Sequence, residues 1–162
     1  SQEFVDRIMD SPDGFNVARL TKLAEDWFAL LNSLGICVRA HNNRFYSAEL
    51  CADLYSAATG LETSQAEIMT AAERGWNMYR ILNVREGMGR VEDSPPEVWF
   101  EPLKVEGETR RLMDYYGRKV LTREDMGALL DDYYTERGWE PASGVPTRAK
   151  LESLGLAWAL QK

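Results

Sequence analysis

Cys37 is one of only two cysteines in the chain and closes the run Leu31-Asn32-Ser33-Leu34-Gly35-Ile36-Cys37. A thiolate at that point is well placed to bind a metal. Gly35 ends the helix before it, because glycine takes a positive φ without steric cost, and the backbone that follows is then free to face a ligand. The same residues also read as a plug, with Leu34, Ile36 and Cys37 turned into a core, since free cysteine is among the most buried residue types. Spacing leaves both readings open.

Other groupings carry less chemistry. Cys37, His41 and Cys51 have zinc-ligand residue types, and a cysteine and histidine four apart can share a helical face. A structural zinc site wants four ligands, however, and the segment after Gly35 need not be helical. His41 as a general base has no serine or cysteine nucleophile in a defined arrangement beside it. There is no P-loop and no GxGxxG. Tyr115-Tyr116, Tyr133-Tyr134 and Trp139 read as core and rim aromatics rather than a base-stacking platform.

Composition narrows the class. A chain of 162 residues is the size of one domain and buries about 68 to 70% of its unfolded surface without staples. Two cysteines, six methionines, no signal-peptide pattern and no long apolar run point to a cytoplasmic protein rather than a secreted or membrane one. A net charge of −7 opposes binding to a phosphate backbone, so nucleic acid is not an expected partner.

The elements that must position Cys37 are helical. Phe4, Val5, Ile8 and Met9 suggest a short helix from residue 1, without a methionine start, before a turn at Ser11-Pro12-Asp13-Gly14; this has the look of a piece of something longer. From Phe15 to Leu34, Val17, Leu20, Leu23, Ala24, Trp27, Leu30, Leu31 and Leu34 form one apolar stripe. Arg19, Lys22, Glu25 and Asp26 fall on its wetter side and read as solvated charges.

Ser47 caps a second long helix, with Tyr46 and Cys51 at hydrophobic-staple positions, and Thr59-Gly60 ends it. Ser64 and Glu67 form a capping box for the longest helix, which runs to about Glu86. Gly75 in its middle predicts close packing against another element. Arg74, Asn77 and Arg80 make a polar stripe, with Asn83, Arg85 and Glu86 at its end, and the plain reading is a solvated face.

Gly87, Gly89 and Asp93-Ser94-Pro95-Pro96 stop that helix. Between Trp99 and Leu121, turn signals at Glu106-Gly107 and Tyr116-Gly117 leave room for a short β-hairpin. Thr122 starts another helix that Gly138 ends with Trp139 as its apolar contact, and Thr147 starts a short one through Leu154. The expected fold is one all-α domain over residues 1–162, with about five helices and one irregular arm.

Four stretches in order give the chain a likeness to a known family. They are Asn32-Ser33-Leu34-Gly35-Ile36-Cys37; Trp76-Asn77 with Arg80-Ile81-Leu82-Asn83-Val84-Arg85-Glu86-Gly87; Tyr133-Tyr134-Thr135-Glu136-Arg137-Gly138-Trp139; and Gly144-Val145-Pro146-Thr147 with Leu151 and Leu154-Gly155-Leu156. Together they resemble the C-terminal region of the tungsten- or molybdenum-dependent aldehyde ferredoxin oxidoreductases. In that family a D-x-x-G-L-C pattern supplies the fourth cysteine of a [4Fe-4S] cluster, and its surroundings contact the pterin of a bis-pterin cofactor.

The resemblance implies that Cys37 is the cluster ligand and that Asn32 and the backbone around Gly35, Ile36 and Val38 contact the pterin. Asn32 stands where the pattern prefers aspartate; it keeps hydrogen bonding but loses the charge. Ile36 for leucine is a mild change. A residue that ligates the cluster and touches the pterin shortens the electron path. The arginine-rich stripe is left to support that loop or a domain contact.

The family's other three cysteines, its main pterin domain, and the glutamate and histidine near the metal lie upstream and have no counterpart here. By this resemblance the piece alone is inactive and holds no cofactor. Its parent oxidises aldehydes to carboxylic acids with ferredoxin as electron acceptor. The implied partners are the upstream domains of the same polypeptide, ferredoxin and an aldehyde; a homo-oligomer stays open. Two alternatives stand beside this: a same-family enzyme of the benzoyl-CoA reductase type, and a helical interaction module without cofactor.

Overall fold

Side-chain caps decide where the helices start. A computed structural model of the chain describes residues 2–9, 16–37, 39 and 45–160. Helix α1 is Gln2–Met9 and α2 is Val17–Ser33, which Asn16 opens by accepting the Arg19 N–H at 2.8 Å. Helix α3, Ala48–Thr59, starts on the Ser47 hydroxyl, and α4, Gln65–Arg85, on the Ser64–Glu67 capping box. Helix α5, Arg123–Arg137, has a second capping box in Thr122 and Asp125, and α6, Arg148–Ser153, starts on Thr147. Each cap satisfies a helix N–H that has no partner inside the helix. The turn expected at 11–14 lies outside the described residues.

The result is mostly helical, with six α-helices among the described residues where about five were expected. The arm between α4 and α5 holds a 3-10 turn, Glu97–Phe100, and the expected hairpin. Strand β1, Leu103–Val105, pairs antiparallel with β2, Glu108–Arg110, in the register Leu103 to Arg110. Its turn places Glu106 and Gly107 at positive φ. A last 3-10 turn, Ala157–Leu160, follows α6.

Two apolar clusters hold these elements. The larger joins α2, α3 and α4 through Ala29, Leu30, Leu31, Cys51, Ala52, Ile68 and Ala72. The smaller joins the end of α4 to α6 and the final turn through Ile81, Leu151, Leu154, Leu156 and Ala159. Each fully buried leucine contributes about 1.5 to 3 kcal/mol of transfer free energy. No helix among the described residues is long and apolar enough to cross a membrane.

The polar stripe of α4 is a solvated face only in part: Arg74, Asn83, Arg85 and Glu86 are exposed. Asn77 and Arg80 are buried, at 0% and 6% exposure. Arg74 Nε donates to the Leu154 carbonyl at 2.8 Å, Arg80 Nε to that of Gly144 at 2.7 Å, and Arg85 Nη2 to that of Ala159 at 2.9 Å. The chain beyond α5 folds back along α4, and long guanidinium side chains reach its otherwise unmatched carbonyls. Asp26, also expected in water, is 4% exposed. Gly75 is not a close-packing point either: a Cβ there would meet nothing within 4 Å.

Candidate functional site

Cys37 leaves the end of α2 through a Schellman motif. Gly35 sits at φ +71°, its N–H donates to the Asn32 carbonyl at 3.1 Å, and the Ile36 N–H donates to that of Leu31 at 2.8 Å. A residue with a Cβ at Gly35 would be strained by conformation rather than by contact, since no atom lies within 4 Å of the added carbon. Leu34 and Ile36 pack against the larger cluster, and Cys37 then emerges exposed. Asn32 is exposed on the last turn of α2.

The plug reading therefore applies to Leu34 and Ile36 and not to Cys37. Val38 and His41 lie outside the described residues. Cys51 is 1% exposed inside the larger cluster, where burial pushes its thiol pKa up. The two thiols thus occupy different environments, and no group of three or more His, Cys, Asp or Glu among the described residues could enclose a metal. The loop offers one exposed thiol, just beyond the exposed Asn32 at the end of α2. That donor set fits a single ligand to an iron–sulfur centre whose other ligands come from elsewhere.

Arg137 braces the helix that carries this loop. Its guanidinium is fully buried, with Nη1 donating to Asp26 Oδ1 at 2.6 Å and Nη2 to Glu25 Oε2 at 2.5 Å and to the Lys22 carbonyl at 3.2 Å. It lies over the Trp76 ring at 5.2 Å and the Tyr133 ring at 5.6 Å. Burial opposes its charge, but Asp26 and its other polar neighbours win and hold its pKa above the ordinary value. With Arg19 on Glu136 at 2.7 Å, these pairs tie α2 to the C-terminal end of α5.

A second polar knot lies alongside. A cavity of about 340 Å³ is lined by Glu25, Trp76, Arg80, Asp93, Tyr133 and Trp139, among others. Tyr133 donates to Glu25 at 2.7 Å, and the next residue, Tyr134, donates to Asp93 through a short hydrogen bond. Arg80 Nη1 donates to Asp93 Oδ1 at 3.0 Å; its Nη2 is 2.6 Å from Oδ2 as an ion pair without hydrogen-bond alignment. The guanidinium lies over the Trp139 ring at 4.9 Å.

Burial, reinforced by Glu25, pushes the Tyr133 phenol up to about 12; burial and Asp93 push that of Tyr134 up as well. Both phenols stay protonated near neutral pH and both carboxylates are engaged by internal donors. The knot is a clasp between elements rather than an acid–base site. Sequence reasoning missed Asp26, Asn77, Arg80 and Arg137 as buried groups and Asp93 as their half-buried partner; for Asn77, Arg80 and Arg137 the signal was their placement near Trp76, Tyr133, Tyr134 and Trp139, rings that can cover a guanidinium.

Comparison with known proteins gives a consistent result. The family model described as aldehyde ferredoxin oxidoreductase, domains 2 and 3, matches residues 2–156. The tungsten-containing aldehyde ferredoxin oxidoreductase of Pyrococcus furiosus is 30% identical over 136 residues, covering 83% of this chain and 20% of that protein. That of Thermococcus kodakarensis is 29% identical over 136 residues, with the same two coverages. The chain spans about a fifth of the length of these relatives. Among solved structures, the active-site complex BamBC of benzoyl coenzyme A reductase with 1,5-dienoyl-CoA aligns with a TM-score of 0.54 and 27% identity, over 70% of this chain and 14% of that one.

Proposed function

Because the chain belongs to the aldehyde ferredoxin oxidoreductase family, matching its C-terminal domains over residues 2–156, we propose that it is one helical domain of a tungsten- or molybdenum-dependent oxidoreductase and supplies Cys37 to that enzyme's [4Fe-4S] cluster. The observation that carries this is the single exposed thiol on a rigid helix end, with the only other cysteine sealed in the core. Asn32 and the backbone of Gly35, Ile36 and Val38 face the pterin in this reading. When bound, the metal and cluster supply two-electron oxidation of an aldehyde and onward single-electron transfer.

The chain's own share is positional. The Schellman bonds fix the path of the backbone from Leu31 to Cys37, while Leu34 and Ile36 hold it to the core. The parent converts an aldehyde and water to a carboxylic acid, and the two electrons pass to ferredoxin. The likeness to the benzoyl coenzyme A reductase complex favours a second reading, in which the same scaffold serves a reductase acting on an aromatic acyl thioester.

The test is anaerobic purification of the parent polypeptide, wild type beside Cys37→Ser, with metal analysis and electron paramagnetic resonance of the reduced protein. The expected result is tungsten or molybdenum with a [4Fe-4S] signal that the variant loses or alters. A parent without metal, or a signal indifferent to Cys37, overturns the assignment. Assays with aldehydes and with aryl-CoA thioesters separate the two readings.

A further inference from the structure

The arm between α4 and α5 differs from the rest of the chain in charge. Residues Thr109 to Val120 hold Arg110, Arg111, Arg118 and Lys119 against one carboxylate, Asp114, a net charge of +3; since the whole chain is −7, the remainder carries −10. Lys119 pairs with Asp125 at 2.5 Å, and Arg110 lies 3.7 Å from Glu108. Arg111 and Arg118 are exposed.

Aromatic side chains are built into the same surface. Met113 bridges antiparallel to Val120, and in the turn between them Asp114 Oδ1 accepts the N–H of Arg118 at 2.6 Å and that of Lys119 at 3.1 Å. These bonds fix the loop that carries Tyr115 and Tyr116. The two rings meet edge to face at 5.2 Å, and the Arg118 guanidinium lies over Tyr116 at 4.9 Å. Tyr115 is nonetheless 80% exposed, and Leu103 on β1 is 63% exposed. A two-stranded hairpin with its apolar residues in water is marginal by itself. Tyrosine and arginine together are the composition of protein–protein hot spots, and rings already held in one conformation lose little entropy when a partner covers them.

We infer that this arm docks a separate protein through an acidic patch of that partner, with Tyr115 as the apolar anchor and Arg110, Arg111 and Arg118 facing its carboxylates. Charge decides the kind of partner. An extended phosphate backbone would run from four cations straight into a surface of −10, so nucleic acid is repelled where a compact acidic patch is not. The arm leaves from the C-terminal end of α4, about 25 Å along the helix axis from Ile68, which belongs to the cluster on which Leu34 and Ile36 pack. This surface is therefore distinct from the Cys37 end, and the inference stands apart from the cluster-ligand assignment.

The test is fluorescence anisotropy of a labelled peptide of Glu-Glu-Leu repeats titrated with the parent polypeptide, beside a labelled oligothymidylate. Peptide binding that weakens with salt is expected. Tyr115→Ala, and Arg111→Ser with Arg118→Ser, should each weaken it by about tenfold or more, while Arg148→Ser at an exposed site on α6 leaves it unchanged. Absence of peptide binding overturns the inference, and so does an equal loss in Arg148→Ser, which would reduce the effect to overall charge. Tighter binding of oligothymidylate would assign the arm to nucleic acid instead. Maleimide labelling of Tyr115→Cys in the native parent closes the remaining routes: labelling as slow as at a buried site means that the parent itself covers the arm, and protection lost on dilution to monomer assigns it to a second copy.

Discussion

The indole N–H of Trp139 donates to Asn77 Oδ1 across 2.8 Å, with the two side chains 4% and 0% exposed. The bond ties the middle of α4 to the first residue beyond the α5 cap, and Asn77 Nδ2 is in turn held by the Glu73 carbonyl at 2.9 Å. Trp139→Phe keeps most of the apolar burial but strands a buried acceptor, so a loss of about 1 to 3 kcal/mol is expected. Urea denaturation of the variant against wild type measures it; a loss near zero would mean that water reaches Asn77.

Breaking the Arg137–Asp26 pair should cost more. Asp26→Ala leaves a fully buried guanidinium short of one counter-charge, and about 3 to 5 kcal/mol is the usual scale for such a break. Arg137→Met with Asp26→Leu removes both charges and should lose less than the sum of the two single variants. A double-mutant cycle followed by denaturation decides this, and simple additivity would count against the coupling.

Two glycines should respond in opposite directions. At Gly144, with φ +69°, a Cβ would lie 2.7 Å from the Tyr134 ring and would also strike Arg80. Gly144→Ala therefore combines backbone strain with overpacking and should destabilise by about 2 kcal/mol or more. Gly75→Ala meets open space in mid-helix and should stabilise by up to about 1 kcal/mol. Thermal melts of the two variants should move apart from wild type in opposite senses.

Alkaline pH should weaken the fold through Tyr133. Its pKa is raised from the ordinary 10 to about 12, mainly by burial. The unfolded chain therefore releases this proton first. The stability tied to the protonated phenol is fully present below pH 10 and is lost as pH rises through about 12, by roughly 2 to 3 kcal/mol in all. Spectrophotometric titration should find Tyr133 un-ionised in the folded chain at pH about 11 and ionised once the chain is unfolded. Tyr133→Phe should flatten this part of the pH–stability curve.

The two cysteines should label differently. Cys37 is exposed, whereas Cys51 is buried with a raised thiol pKa. Under reducing conditions the native chain should take up one equivalent of a thiol reagent quickly and the second only on unfolding. Two fast equivalents would show that the α3 packing around Cys51 opens readily.

Local signals in the sequence were enough to determine the caps at Ser47, Ser64, Thr122 and Thr147, the Gly35 stop and the hairpin, but not the Asn16 cap of α2. These features depend on residues within a few positions of one another, where capping chemistry and glycine's positive φ act regardless of distant packing. The motif around Cys37 was likewise legible, because a Schellman end and the thiol after it occupy seven consecutive residues.

The fate of charged residues was decided only by the tertiary structure. Asp26 and Arg80 occupy helical positions that read as wet, and a charge pattern along one helix cannot reveal that a partner 64 to 115 residues away completes it; Arg80 meets the Gly144 carbonyl, and Arg137 meets Asp26 and the Lys22 carbonyl. The return of the chain along α4 brings those partners in, and burial then turns a solvated charge into a bond that holds two elements together.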